Sequence, residues 1–215
     1  MTTVSDSFNR ANEIYMVTTI WSKLAGGFTG DVSIISNAIE GNGIDGPRMY
    51  DGGTTWGDDQ SSEITVFSAG THICGPMVRC GTGTGYMWQL SNGQIKTATA
   101  GAFGAAIATR TATPFSDGDK FKLVAVGGLL KCYKNGVQVG ANITDSTYSS
   151  GKPGVYTLDS GGRIDAWTGT DQVIDVIPIN RVLPSNDSNK SQGEIHDPTS
   201  VIFYPQYKPL TIRPI

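Results

Sequence analysis

Cysteine, histidine and glutamate are scarce in this chain of 215 residues, and each shortage excludes a kind of site. The three cysteines, Cys74, Cys80 and Cys132, are too few and odd in number for a disulfide framework. They form no CxxC motif or Cys/His cluster that would hold zinc. We therefore expect them to be small apolar residues in strands of a protein made in a reducing cytoplasm.

Catalytic patterns are also missing. A glycosidase needs two carboxylates, which on a strand would come from alternate residues, but none of the four glutamates has a carboxylate two residues away. We interpret the two histidines, His72 and His196, as a structural residue and part of a polar turn. We therefore expect a protein that is not an enzyme. A glycoside hydrolase or polysaccharide lyase is the less favoured alternative.

Long apolar runs and an excess of positive charge are absent as well. No stretch of 18 apolar residues occurs, which excludes a transmembrane helix, and the N-terminus lacks the basic and apolar regions of a secretory signal. The net charge of -3 argues against binding to nucleic-acid phosphates. We expect neither membrane insertion nor a nucleic-acid partner.

Glycine is abundant, with 28 residues, and β-rich runs separated by turns fill residues 4–170. Asn135-Gly136 and Asn92-Gly93 favour positive φ and predict tight hairpins. No stretch of twelve residues has a helical apolar period. Residues 1–170 therefore predict an all-β fold, a two-sheet antiparallel sandwich.

The composition changes near residue 170, since 27 of the 28 glycines precede it and six of the ten prolines follow it. Proline disfavours regular strands and helices, so residues 171–215 predict an extended C-terminal arm. Apolar clusters in the arm suit a chain that lies along another protein, although the arm packing back on its own sandwich is the alternative. The predicted partner-binding residues are Val201, Ile202, Phe203, Tyr204, Tyr207 and Leu210.

Several segments of the chain share features with one family of domains: residues 6–12 followed by Trp21, 58–66, 75–79 with Gly85-Tyr86, 118–136, 143–156 and 163–167. They resemble the laminin-G-like and concanavalin A-like jelly-roll domains common in phage structural proteins and bacterial surface proteins, with residues 6–12 resembling the first strand. The resemblance covers about residues 4–168 and implies a jelly-roll sandwich. It says little about the ligand, because the family serves glycan binding, protein binding and architecture.

Two candidate sites follow from the resemblance and the aromatic residues. Related sandwiches often hold a structural Ca²⁺, and pairing of the terminal strands would bring Asp6 and Asp165 together. The alternative is that both are solvated and that there is no cofactor. Exposed aromatic rings are the usual glycan platform, and Trp56 in the glycine-rich stretch 51–58 is the candidate, while Trp21 and Trp167 are expected in the core.

These features predict a non-enzymatic bacteriophage virion protein, such as a capsid decoration, head-fibre or tail-associated protein assembled in the host cytoplasm. Its sandwich would be exposed, and its arm would bind capsid or other virion proteins, with several copies forming a homo-oligomer. The alternative is a lectin-like adhesion module that binds surface polysaccharide, and the two roles are compatible.

Overall fold

The computed structural model describes residues 2–14, 16, 19–67, 72–159 and 161–171, which form sixteen strands and no helix. No helix within those ranges is long and apolar enough to cross a membrane. The strands are β1 (Thr3–Asp6), β2 (Trp21–Lys23), β3 (Val32–Ile35), β4 (Ala38–Gly41), β5 (Arg48–Tyr50), β6 (Gln60–Val66), β7 (Cys74–Gly81), β8 (Thr84–Gln89), β9 (Gln94–Thr99), β10 (Ala102–Thr109), β11 (Lys120–Val126), β12 (Leu129–Lys134), β13 (Val137–Gln138), β14 (Ile143–Thr144), β15 (Lys152–Thr157) and β16 (Ile164–Asp171).

All the strand pairs are antiparallel, and they form two sheets that pack face to face as a jelly-roll sandwich. The nine-stranded sheet has the order β13-β12-β11-β6-β16-β4-β3, with β1 also on β16 and β14 also on β12. The seven-stranded sheet has the order β10-β9-β8-β7-β15-β5-β2. The all-β sandwich predicted from the sequence is confirmed.

The main core lies between the sheets and is rich in aromatic rings. Trp21 and Trp167 are buried there with their ring centroids 4.8 Å apart, and Tyr50 stacks on Trp167 at 5.1 Å. The predicted core positions of both tryptophans are confirmed.

The three cysteines are buried and unpaired in β7 and β12, as expected. Burial raises the pKa of the Cys74 and Cys132 thiols to about 12.

The central strands of the seven-stranded sheet, β7, β8 and β15, are buried on both faces. Neighbouring residues alternate between two clusters: Val78 belongs to the main core, while Met77 belongs to a second cluster that includes Leu24 and Phe28. Because side chains alternate across a strand, the second cluster lies on the outer face of the sheet. The segment 24–30 therefore covers that face, with the Phe28 ring 5.0 Å from Phe103.

Of the two hairpin turns predicted from Asn-Gly pairs, one has the predicted length and the other is longer. Asn135 and Gly136 have φ values of 50° and 80° and form the predicted two-residue turn between β12 and β13. The Asn92-Gly93 prediction of an equally tight turn is wrong in length, since residues 90–93 separate Gln89 from its partner Gln94. The Asn92 side chain accepts a hydrogen bond from the Gln94 N–H at 3.0 Å, which stabilises the longer loop.

The first strand ends earlier than the family resemblance implies, because Asp6 turns the chain. Its carboxylate accepts hydrogen bonds from the Phe8 N–H, the Arg10 guanidinium and the Trp21 indole, each at 2.8 Å. Phe8 then takes a φ of 52° and becomes fully buried. Residues 7–12 are thus an anchored turn and not a strand.

The predicted arm lies outside the described residues, except for Asp171, which ends β16. This applies to all the predicted partner-binding residues and to His196, so the division into sandwich and arm stays a prediction. The partner-binding residues concerned are Val201, Ile202, Phe203, Tyr204, Tyr207 and Leu210.

We expect Asp6→Asn to lower the free energy of unfolding by about 1–3 kcal/mol, because the amide removes an acceptor and the charge that pairs with Arg10. Urea unfolding followed by tryptophan fluorescence measures the change. Asp165→Asn, at a residue that is only partly buried, is the control and should change stability by less than about 0.5 kcal/mol. Equal losses in the two variants would contradict the role given to Asp6.

Candidate functional site

Four connections meet at one end of the sandwich, which we call the cleft end. They are residues 51–59 between β5 and β6, 82–83 between β7 and β8, 127–128 between β11 and β12, and 145–151 between β14 and β15. The register places them together, because Gln60 pairs with both Ala125 and Asp171 at the start of β6. Strand ends from both sheets therefore hold these loops.

Two adjoining clefts open among these loops. The Trp56 cleft has a volume of about 520 Å³ and is lined by Met49, Thr54, Thr55, Trp56, Cys80, Gly81, Thr82, Gly151 and Lys152. The Arg79 cleft has a volume of about 610 Å³ and is lined by Gly57, Asp58, Asp59, Arg79, Gly127, Gly128, Ser146 and Ser149. Consecutive residues of the 51–59 loop thus line both clefts.

Arg79 forms the floor of its cleft and is only 2% exposed. It sits at a bulge in β7 with a φ of 53°, a left-handed conformation that costs a non-glycine residue on the order of 1 kcal/mol. Its guanidinium donates to the carbonyls of Asp58 at 3.0 Å, Tyr148 at 3.0 Å and Gly127 at 2.7 Å. One buried side chain therefore joins three loops of the cleft end.

Gln60 supports the wall between the clefts and is fully buried. Its amide donates to the carbonyls of Gly57 and Gly151, each at 2.9 Å, and its oxygen accepts from the Arg79 N–H at 3.0 Å. Neighbouring atoms leave no room for a side chain at either glycine: a Cβ on Gly57 would lie 2.6 Å from an Asp171 carboxylate oxygen, and one on Gly151 would lie 2.4 Å from the Arg79 backbone. Glycine at both positions lets the wall form.

A second polar group orders the 145–151 loop. The Tyr86 hydroxyl donates to Asp145 at 2.6 Å and accepts from the Tyr148 N–H at 2.9 Å. Burial, followed by the hydrogen bond to Asp145, raises the pKa of Tyr86 to about 12. The loop carries Ser146 and Ser149 into the Arg79 cleft, so this group positions them.

Trp56, the glycan-binding candidate, lies in its cleft but is half-buried. Its ring meets Tyr50 edge-on at a centroid distance of 6.0 Å, and its outer carbon would lie 2.9 Å from a Cβ on Gly169. Its indole nitrogen has no hydrogen-bond acceptor among the described residues. Trp56 therefore joins the aromatic core to the cleft, and its role in glycan binding stays a prediction.

The charges of the two clefts are unequal. Lys152 forms an ion pair with Asp51, whose pKa is lowered by that bond and by the Ser22 hydroxyl at 2.7 Å. In the other cleft Asp58 is exposed and Asp59 is 44% exposed, with an Asp59 oxygen accepting from the Gly127 N–H at 2.7 Å. Among the charged groups that line the two clefts, the carboxylates of Asp58 and Asp59 are thus the most accessible.

The two predicted calcium ligands lie on paired strands, as expected, since β1 pairs with β16. The oxygens of Asp6 already accept from Phe8, Arg10 and Trp21. No group of three or more His, Cys, Asp or Glu residues in the described part of the chain could hold a metal. Asp6 and Asp165 do not fit a calcium site here, and calcium binding stays a prediction.

Sequence reasoning missed several residues of the clefts, namely Arg79, Asp58, Asp59 and Lys152. Asp58 and Asp59 follow Trp56 within a glycine-rich stretch, and this grouping of an aromatic ring with carboxylates was the available signal. Arg79 lies within an otherwise uncharged strand, where a charge suggests an exposed face. The bulge that turns it inward has no signature in the sequence.

No family model matches the chain, and no curated protein matches it. Similar solved structures include the carbohydrate-binding module CBM66 of Bacillus subtilis, at 19% identity over 72% of this chain and 94% of that chain, with a TM-score of 0.49. A lichenase, a prokaryotic β-1,3-1,4-glucanase from a mouse hindgut metagenome, is 10% identical over 80% and 100% of the two chains, with a TM-score of 0.49. The exoplasmic/lumenal domain of VIP36 in its Ca²⁺/Man3GlcNAc-bound form is 12% identical over 78% and 90%, with a TM-score of 0.48. At these identities the likeness concerns the fold alone.

We expect Tyr86→Phe to lower the free energy of unfolding at pH 7 by about 1–3 kcal/mol, because it removes two buried hydrogen bonds. The pKa of Tyr86 is higher in the folded protein, so its contribution is complete below pH 10 and is lost as the pH rises towards 12. The difference between wild type and variant should therefore shrink in urea unfolding above pH 10. Tyr133→Phe, on β12, is the matched control, and a difference that does not change with pH would contradict this role.

Proposed function

We propose that this protein binds carbohydrate in the Trp56 and Arg79 clefts and does not catalyse a reaction on it. The observation that carries the proposal is that residues 56–59 bring an aromatic ring and two accessible carboxylates into adjoining clefts. A sugar offers an apolar C–H face and several hydroxyl groups. A ring that packs on the face and carboxylates that accept from the hydroxyls match both features.

The size and order of the clefts support this proposal. Their volumes of about 520 and 610 Å³ lie within the range of roughly 300–1,000 Å³ typical of small-molecule sites. Gln60, Arg79 and Tyr86 hold the loops through buried hydrogen bonds. A preordered site loses less conformational entropy when it binds a ligand, which favours affinity.

The arrangement of the carboxylates favours binding over hydrolysis. A glycosidase places two carboxyl groups on either side of the bond that it breaks. Asp58 and Asp59 are consecutive residues of one loop. They suit hydrogen bonding to one sugar better than acid and base roles on opposite sides of it.

The virion role predicted from the sequence is a separate proposal. It depends on the arm at residues 171–215, which lies outside the described residues apart from Asp171. A sandwich that binds carbohydrate through its loops is compatible with attachment through such an arm. Virion partners, homo-oligomerisation and location in a particle stay predictions.

Trp56 allows a direct test, because the other three tryptophans are each 2% exposed or less. Acrylamide should quench the fluorescence of Trp56 preferentially, and a bound soluble polysaccharide should protect it. We expect at least twofold protection by one or more members of a polysaccharide panel, with retardation of the protein in gels containing the same polymer.

Trp56→Phe and Asp117→Asn serve as the variants in this test. Trp56→Phe should abolish the quenchable component while keeping an aromatic ring in the core. Asp117→Asn, in an exposed turn before β11 at the opposite end of the sandwich, should bind like the wild type. Lack of both protection and retardation across neutral and acidic polymers would refute carbohydrate binding at this site.

A further inference from the structure

We propose that the two clefts select neutral glycans and reject anionic ones, such as polymers that carry uronate, sialate or sulfate groups. This inference rests on the proposed carbohydrate binding and adds the class of ligand. It follows from the charged groups that line the two clefts and from the partners that each of them has.

Arg79 does not provide a site for an anion although it lines a cleft. Its side chain is 2% exposed, and its Nε, Nη1 and Nη2 atoms each donate to a backbone carbonyl. The Asp59 carboxylate lies 3.8 Å from Nη2 and offsets the positive charge. An anionic sugar would have to displace these partners to reach the guanidinium.

Lys152 is the other positive charge at the clefts, and it is also paired. It binds Asp51, which is held in place by the Ser22 hydroxyl at 2.7 Å. The pKa of Asp51 is lowered by these hydrogen bonds, so its carboxylate is ionised at neutral pH. The Lys152–Asp51 pair therefore adds no net charge to the Trp56 cleft.

Asp58 carries the charge of the clefts that no cation in the described part of the chain offsets, and Asp59 presents a second accessible carboxylate in the same loop. Asp58 is exposed, and its carboxylate has no hydrogen-bond or ion-pair partner among the described residues. Asp59 uses one oxygen for the Gly127 N–H and is 44% exposed. Carboxylates accept hydrogen bonds from sugar hydroxyls but repel a second anion at the same distance.

The test compares soluble neutral and anionic polysaccharides on the full chain. The probes are a mixed-linkage β-glucan, an α-mannan and a galactan on the neutral side, and polygalacturonate, hyaluronan and a sulfated galactan on the anionic side. Protection of Trp56 from acrylamide at 20 mM NaCl gives the dissociation constant for each polymer. We expect protection by at least one neutral polymer and at least tenfold weaker binding of every anionic polymer.

The double variant Asp58→Asn/Asp59→Asn should change this preference. It keeps the shapes of both side chains, and the amide that replaces the Asp59 carboxylate still offers an oxygen to the Gly127 N–H. We expect the ratio of anionic to neutral dissociation constants to fall at least tenfold. Raising NaCl to 500 mM should reduce the same ratio in the wild type, because salt screens the repulsion between exposed charges.

Asp117→Asn/Asp165→Asn is the matched control, since it makes the same change in net charge at the opposite end of the sandwich. It should keep the wild-type preference, and urea unfolding of both double variants shows whether the fold is retained. An anionic polymer that binds the wild type more tightly than every neutral polymer would overturn this inference and leave carbohydrate binding intact. If the ratio of anionic to neutral dissociation constants is unchanged in Asp58→Asn/Asp59→Asn, the selectivity inference is also wrong while carbohydrate binding stands. If no polymer protects Trp56, carbohydrate binding itself is wrong.

Discussion

The burial of the Arg79 charge is the constraint on which the cleft end depends. Removing a guanidinium from water costs on the order of several kcal/mol unless acceptors replace the lost hydration. Three carbonyls, from Asp58, Gly127 and Tyr148, supply that replacement, and each belongs to a different loop. Satisfying one charge therefore requires three loops to occupy definite positions, and the Arg79 cleft is the space that remains between them.

Gln60 extends the same requirement to the second cleft. Backbone groups in loops have no strand partner, and a buried carbonyl without a hydrogen bond destabilises the fold. The Gln60 amide satisfies Gly57 and Gly151 together, while its oxygen accepts from the strained Arg79 backbone. Because Gly57 lines one cleft and Gly151 the other, the shape of each cleft depends on its neighbour.

The sequence was a good guide wherever local chemistry decides the structure. The Asn135-Gly136 turn, the burial of Trp21 and Trp167 and the all-β sandwich follow from φ preferences and apolar patterning. It was a poor guide where distant groups decide. β10 has mostly alanine and glycine, with low strand propensity, and forms because β9 offers it an edge. Arg79 turns inward at a bulge, and the carbonyls that accept from its guanidinium lie far away in the chain. The residues next to Arg79 in the sequence therefore predict neither its burial nor the cleft that it lines.

The covering of the seven-stranded sheet explains why a ligand would not meet the outer face of that sheet. Leu24 and Phe28 fill the outer surface of that sheet, where Met77, Met87 and Tyr156 would otherwise be exposed. The segment that carries them packs on the Thr82-Gly83 and Ala100-Gly101 turns through Gly26 and Gly27, where a Cβ would lie about 3.0 to 3.2 Å from the neighbouring backbone. A ligand on this face would have to displace two buried side chains. The cleft end, by contrast, presents Trp56, Asp58 and Asp59 already in position, so binding there requires no such rearrangement.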